Sequence, residues 1–206
     1  LRWLFVLLLS GAAAFAEGEP AGRFDYYVLS LSWSPGWCAT EGEARNSPQC
    51  DRDLGWVLHG LWPQYRTGYP SYCPSTVRDP SRNETAAMED IMGTDGAAWY
   101  QWKKHGRCAG LAARDYLALA RRAYASVKRP PVFAKIDRDI QLPASVIEES
   151  FLENNPGLMP DMISVTCQAN RIQEVRICLS KALQPMTCGA DVIRDCTLKD
   201  ALLDGR

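Results

Sequence analysis

Over Tyr26–Trp33 apolar and polar positions alternate with a period of two, placing Tyr27, Leu29, Leu31 and Trp33 on one face of a strand suited to the centre of a sheet. Residues 56–62 read as a second strand. Further on the pattern changes: Ser81 and Glu84 have the spacing of a capping box and open a helix expected to run to Ile91 and stop at Gly93. Helices over 97–105, 111–127 and 144–153 follow, the last closed by Asn154-Asn155-Pro156-Gly157. The tail returns to strands at 162–167 and 172–179, with Gln173, Val175, Ile177 and Leu179 expected on one face. Strands, then helices, then strands predict an α+β fold with a mainly antiparallel central sheet and packed helices.

The composition, 206 residues with 47% hydrophobic and 23% charged, is that of an ordinary globular chain long enough to bury a core, and excludes disordered and collagen-like classes. No internal repeat, low-complexity stretch or Pro/Gly/Ser-rich linker divides it, so one domain is expected over 17–206. Residues 1–16 carry Arg2, an apolar run at 4–9 and a closing Ala14-Phe15-Ala16, the pattern of a secretory signal peptide. The run is short of the roughly 20 apolar residues of a transmembrane anchor; an uncleaved anchor is the alternative. A secreted or periplasmic location follows from the signal reading.

Export changes the meaning of the eight cysteines, Cys38, Cys50, Cys73, Cys108, Cys167, Cys178, Cys188 and Cys196. An even number in an oxidising compartment points to disulfides, and the spacings contain no C-x-x-C or zinc-finger pattern. Arithmetic alone leaves 105 pairings open. The formal net charge of -1 indicates no particular partner, but residues 101–130 hold eight Lys or Arg against one acid, Asp115. Such a stretch is either a footprint for polyanions or an ordinary solvated helix face.

Candidate chemistry is concentrated at the two histidines. His59 lies in Trp56-Val57-Leu58-His59-Gly60-Leu61-Trp62-Pro63 and His105 in Trp102-Lys103-Lys104-His105-Gly106-Arg107-Cys108. Either alone reads as a structural histidine, but two groups that titrate near neutrality can act as acid and base together. On the predicted helix Gln101 and His105 are i and i+4, as are Tyr100 and Lys104, so the four can form an anion site with Lys104 as a fixed positive charge.

These two segments closely resemble the active-site motifs of the RNase T2 family of endoribonucleases, written HGLWP and HEWxKHGxC. Phe24 to Trp33 is similar to the family's first strand, and Asn155-Pro156-Gly157-Leu158 with Glu174-Val175-Arg176-Ile177-Cys178 is similar to its late segment, so the likeness runs in order over 24–196. The resemblance implies cleavage of single-stranded RNA by a monomer, with no metal or other cofactor and no membrane partner. His105 would be the base and His59 the acid of a step giving a 2′,3′-cyclic phosphate, with roles exchanged in its hydrolysis to a 3′-phosphate. Lys104 would stabilise the phosphorane-like transition state. Trp62 would line the pocket and stack on a base, or serve as a core tryptophan. The resemblance also implies disulfides Cys73–Cys108, Cys178–Cys188 nested within Cys167–Cys196, and Cys38–Cys50.

Tyr100 and Gln101 stand where the family motif has His-Glu. Both can offer a hydrogen bond to phosphate, but neither carries charge at neutral pH, so altered catalysis is expected and protonated His105 loses the support of a neighbouring carboxylate. The competing class is an RNase T2-like protein weakened by these substitutions and acting as an RNA-binding or protein-interaction module. A metal-dependent phosphodiesterase lacks the carboxylate cluster its metal would need. The sequon Asn83-Glu84-Thr85 reads as incidental.

Overall fold

A computed structural model describes residues 19–206; the signal peptide expected over 1–16 lies outside the described residues. Its six strands, β1 (Tyr26–Trp33), β2 (Trp56–Gln64), β3 (Ile140–Leu142), β4 (Ile163–Gln168), β5 (Arg171–Leu179) and β6 (Ala201–Leu203), form one sheet. The order is β2-β1-β5-β6-β3, with β4 also paired to β5. All pairings are antiparallel except a parallel contact of Arg171 on β5 with Leu202 on β6. The three-residue strands β3 and β6 are too short to leave a periodic signal and were not anticipated.

The helices are α1 (Ser34–Trp37), α2 (Arg82–Ala86), α3 (Glu89–Met92), α4 (Asp95–Lys104), α5 (Ala113–Ser126) and α6 (Ser145–Asn154). The capping box is formed: Ser81 Oγ accepts from the Glu84 N–H, and Glu84 Oε2 accepts from the Ser81 N–H. The helix it opens is nevertheless shorter than the expected 81–91. It ends in a turn at Ala87 and Met88, where the Met88 N–H donates to the Thr85 carbonyl three residues back, and restarts as α3, which closes at Gly93 with φ +84°. Helix α4 begins two residues before the expected Ala97, because the Thr94 hydroxyl caps it by accepting from the Ala97 N–H at 3.1 Å.

Alternation in β1 divides the sheet into two faces. Tyr27, Leu29, Leu31 and Trp33 enter the main core with Trp102 of α4, Tyr116 of α5, Phe151 of α6, and Val175 and Ile177 of β5. The opposite face carries a smaller cluster of Tyr26, Val28, Cys178, Cys188 and Val192. Two tyrosine hydroxyls fasten α5 to β2: buried Tyr116 donates to the Leu61 carbonyl at 2.7 Å and half-buried Tyr124 to the Trp56 carbonyl at 2.9 Å.

Two β-bulges break this alternation. Along β1–β2, Ser30 pairs with Gly60 and Leu31 with Leu58, so His59 is an extra residue with no partner opposite. Leu58 and Leu61, three apart, therefore both face the core, while His59 and Trp62, also three apart, turn to the other face. Along β4–β5, Thr166 pairs with Glu174 and Cys167 with Ile172, leaving Gln173 as the extra residue. This corrects the expected face of β5: Ile172, not Gln173, joins Val175, Ile177 and Leu179 in the core, and Gln173 turns outward.

Four disulfides join Cys38 to Cys50, Cys73 to Cys108, Cys167 to Cys196 and Cys178 to Cys188, using all eight cysteines in the pairs the resemblance implied. Among the described residues no helix is long and apolar enough to cross a membrane.

Candidate active site

A cleft of about 440 Å³ opens on the face of the sheet away from the main core. His59, Trp62, Tyr100, Gln101, Lys104 and His105, all singled out in the sequence, line it. Two elements bring them together: the bulged part of β2 carries His59 and Trp62, and the C-terminal half of α4 carries the others to its cap at His105.

Each histidine is followed by a glycine, for a steric reason. A Cβ on Gly60 would collide with Gln101 Oε1 and Trp62 Nε1. One on Gly106 would lie 2.6 Å from the Trp102 ring and 2.7 Å from that of Tyr116, where the chain turns out of α4 over the core. The turn is held from outside as well: the Tyr72 N–H donates to the Lys104 carbonyl at 2.8 Å, and Cys108, three residues past His105, is bonded to Cys73.

Trp62 stands between the imidazoles. Its ring is 5.2 Å from His59, edge to face, and 5.2 Å from His105, nearly parallel at 26°. The indole N–H donates to Gln101 Oε1 at 2.7 Å. Gln101 is thus buried, 3% exposed, with its amide oxygen committed to Trp62 and only its NH₂ free to meet a phosphate. Tyr100 is half exposed at the rim, with the Lys104 ammonium 5.9 Å from its ring centre, and Tyr69 places a second exposed ring 6.0 Å from His105.

The histidines occupy opposite environments. His105 is 4% exposed and its Nδ1 is buried without a hydrogen-bond partner, so Nε2 is the nitrogen that meets the cleft. Burial, then the positive charges of Lys104 and His59, push its pKa down to about 3, so it is neutral over the ordinary working range. His59 is 41% exposed, and its Nδ1 is bonded to Oε1 of Glu174 on β5. Burial would raise the Glu174 carboxyl, but the hydrogen bond and charge of His59 and the guanidinium of Arg176 outweigh it and hold the group at about 2. One ring is held neutral by burial; the other is bonded to an ionised carboxylate.

Glu174 and Arg176 carried no assigned chemistry in the sequence, although they lie in a quoted motif and alternate away from the core face of β5. Three of the eight cations in the basic stretch at 101–130 are engaged elsewhere: Arg107 pairs with Asp79, Arg121 with Asp90, and Arg129 donates to the Tyr124 and Val127 carbonyls. Of that stretch's lysines and arginines, Lys104 lines the cleft.

With this geometry in view, the likeness to known proteins is specific. Residues 24–188 match the Ribonuclease T2 family, and the chain belongs to it. It is 46% identical over 109 residues, 53% of this chain and 48% of the relative, to a protein of Aeromonas hydrophila named ribonuclease. It is 31% identical over 181 residues, 80% of this chain and 61% of the relative, to a probable ribonuclease of Haemophilus influenzae. The chain thus spans about half to three fifths of the length of these curated relatives. The fold is also that of RNase NT, solved in complex with 5′-AMP: TM-score 0.63 and 19% identity, covering 89% of this chain and 100% of that one.

Proposed function

We propose that the chain is an endoribonuclease that cleaves single-stranded RNA through its two histidines. Neutral His105 takes the proton of the ribose 2′-OH, and the 2′-oxygen attacks phosphorus. His59 gives a proton to the departing 5′-oxygen, and a 2′,3′-cyclic phosphate forms. Lys104 offsets the negative charge that accumulates on the phosphorane-like transition state. Water then opens the cyclic phosphate to a 3′-phosphate with the histidine roles exchanged. Acid, base and cation are all side chains, so the steps as written call on no metal. Trp62 and Tyr69 offer faces on which a base can stack. Four disulfides support reading the protein as exported.

The observation that carries this reading is the pairing, in one cleft, of a buried histidine held neutral with a histidine anchored to an ionised carboxylate. A buried imidazole that resists protonation can take a proton, and an exposed imidazole fixed at Nδ1 can give one from its other nitrogen. The test is cleavage of single-stranded RNA in excess EDTA, with product ends identified by mass and His59→Ala and His105→Ala as controls. Cyclic phosphate or 3′-phosphate ends, absent in both variants, are expected. No cleavage from acid to neutral pH by a folded protein would overturn the enzymatic reading in favour of a binding protein, with Tyr100 and Gln101 as the cause.

A further inference from the structure

Helix α4 brings no carboxylate to the cleft, because Gln101 occupies the position beside His105. The carboxylate that touches an imidazole arrives instead from β5, across β1. Glu174 pairs in register with Ser32, and Arg176 with Ser30, so two small side chains separate β5 from β2 on this face. Over that low ridge Glu174 Oε1 reaches His59 Nδ1. Its other oxygen accepts from Arg176 Nε at 2.9 Å and Nη2 at 2.7 Å, and the same guanidinium lies 5.5 Å from the centre of the Trp62 ring.

We propose that Glu174, held by Arg176, is the positioning residue of this site: it fixes His59 with Nδ1–H toward the protein and Nε2 toward the cleft, and thereby serves protonation of the leaving 5′-oxygen. An ionised carboxylate only accepts hydrogen bonds, so the ring nitrogen facing it must carry the hydrogen. The 3%-exposed carboxylate already has a partner in Arg176, yet its second oxygen is turned to a half-exposed imidazole. Immobilising an otherwise mobile acid at one nitrogen leaves the other aimed at a reacting atom. The proton delivered comes from Nε2; Glu174 itself gains and loses none.

This inference rests on the two-histidine reading, and its test separates the two. Cleavage of RNA is compared with that of uridine 3′-(4-nitrophenyl phosphate), whose phenolate departs without being protonated. Glu174→Gln is expected to lower kcat on RNA on the order of 10²-fold, with KM within about twofold, while the nitrophenyl ester reacts within about threefold of wild type. Glu174→Asp is expected to recover part of the loss, and His59→Ala to show the same contrast between substrates. Equal losses on both substrates would show a merely structural role and overturn the assignment. Normal RNA cleavage by Glu174→Gln beside an impaired His59→Ala would overturn it alone; normal cleavage by His59→Ala would overturn the two-histidine reading as well. Should Glu174→Gln fail to fold, the ¹⁵N spectrum of the wild-type histidines decides: neutral His59 is expected as the Nδ1–H tautomer, and the Nε2–H tautomer refutes the proposal.

Discussion

The indole N–H of Trp62 donates to the amide oxygen of Gln101 at 2.7 Å, and this bond ties the strand that bears His59 to the helix that ends at His105. A glutamate at 101 could accept the same bond while adding a negative charge beside His105, which would stabilise its imidazolium. Gln101→Glu is therefore expected to move the acid limb of kcat/KM upward by about one pH unit, from a wild-type limb lying well below pH 6.5 because His105 is held down at about 3. Superimposable pH–rate profiles would count against this.

Gly60 guards the same bond from below. A methyl group there would collide with both of its partners, so Gly60→Ala must push Trp62 and Gln101 apart. Overpacking with loss of a buried hydrogen bond costs about 1–3 kcal/mol. A drop in kcat/KM of roughly tenfold or more and a lower Tm are expected, measured against wild type by steady-state kinetics and thermal unfolding.

Stability should fall in acid through His105. In the unfolded chain the ring takes up a proton near pH 6.5, whereas in the fold it resists until about 3. Its contribution is thus fully present above pH 6.5 and is lost as pH falls toward 3, with a slope of at most about 1.4 kcal/mol per pH unit. Glu174, at about 2 against an ordinary 4.5, adds a loss of the same sign only below about pH 4.5. Between pH 6.5 and 4.5 denaturant melts should show a steeper decline for wild type than for His105→Gln; equal slopes would show that the ring is not shielded.

The Cys73–Cys108 disulfide closes a loop with a sequence separation of 35 and anchors the turn that follows His105. Replacing both cysteines with serine is expected to cost about 3–4 kcal/mol of unfolding free energy. Activity should fall even where the variant is fully folded, because the backbone that carries His105 loses its tether. Unfolding curves and rates measured on one preparation check both effects.

Much of this site is legible in local sequence because it is built from contiguous motifs: Trp56 to Pro63 carries one histidine and Trp102 to Cys108 the other. Period-two alternation likewise located β1, since nothing interrupts it. The bulges left no such trace. One extra residue shifts the register without altering composition, so Gln173 read as a core-facing position although Ile172 holds it. The break at Ala87 and Met88 was hidden because both residues are good helix formers. Glu174 lies 115 residues from His59, and only the β2-β1-β5 strand order brings the two together.

The bulge at His59 means that a perfectly regular β2 could not hold both His59 and Gly60 between Leu58 and Leu61. Deleting one residue between Leu58 and Leu61 would heal the ladder, but Leu58 and Leu61 would then be two apart with a single position between them, and the strand could present either His59 or Gly60 there, never both. Keeping the histidine removes the small residue on which Trp62 and Gln101 close; keeping the glycine removes the imidazole from the cleft. The irregularity in the sheet is therefore what lets one short stretch of strand supply both a cleft-facing imidazole and the gap beneath the Trp62–Gln101 bond.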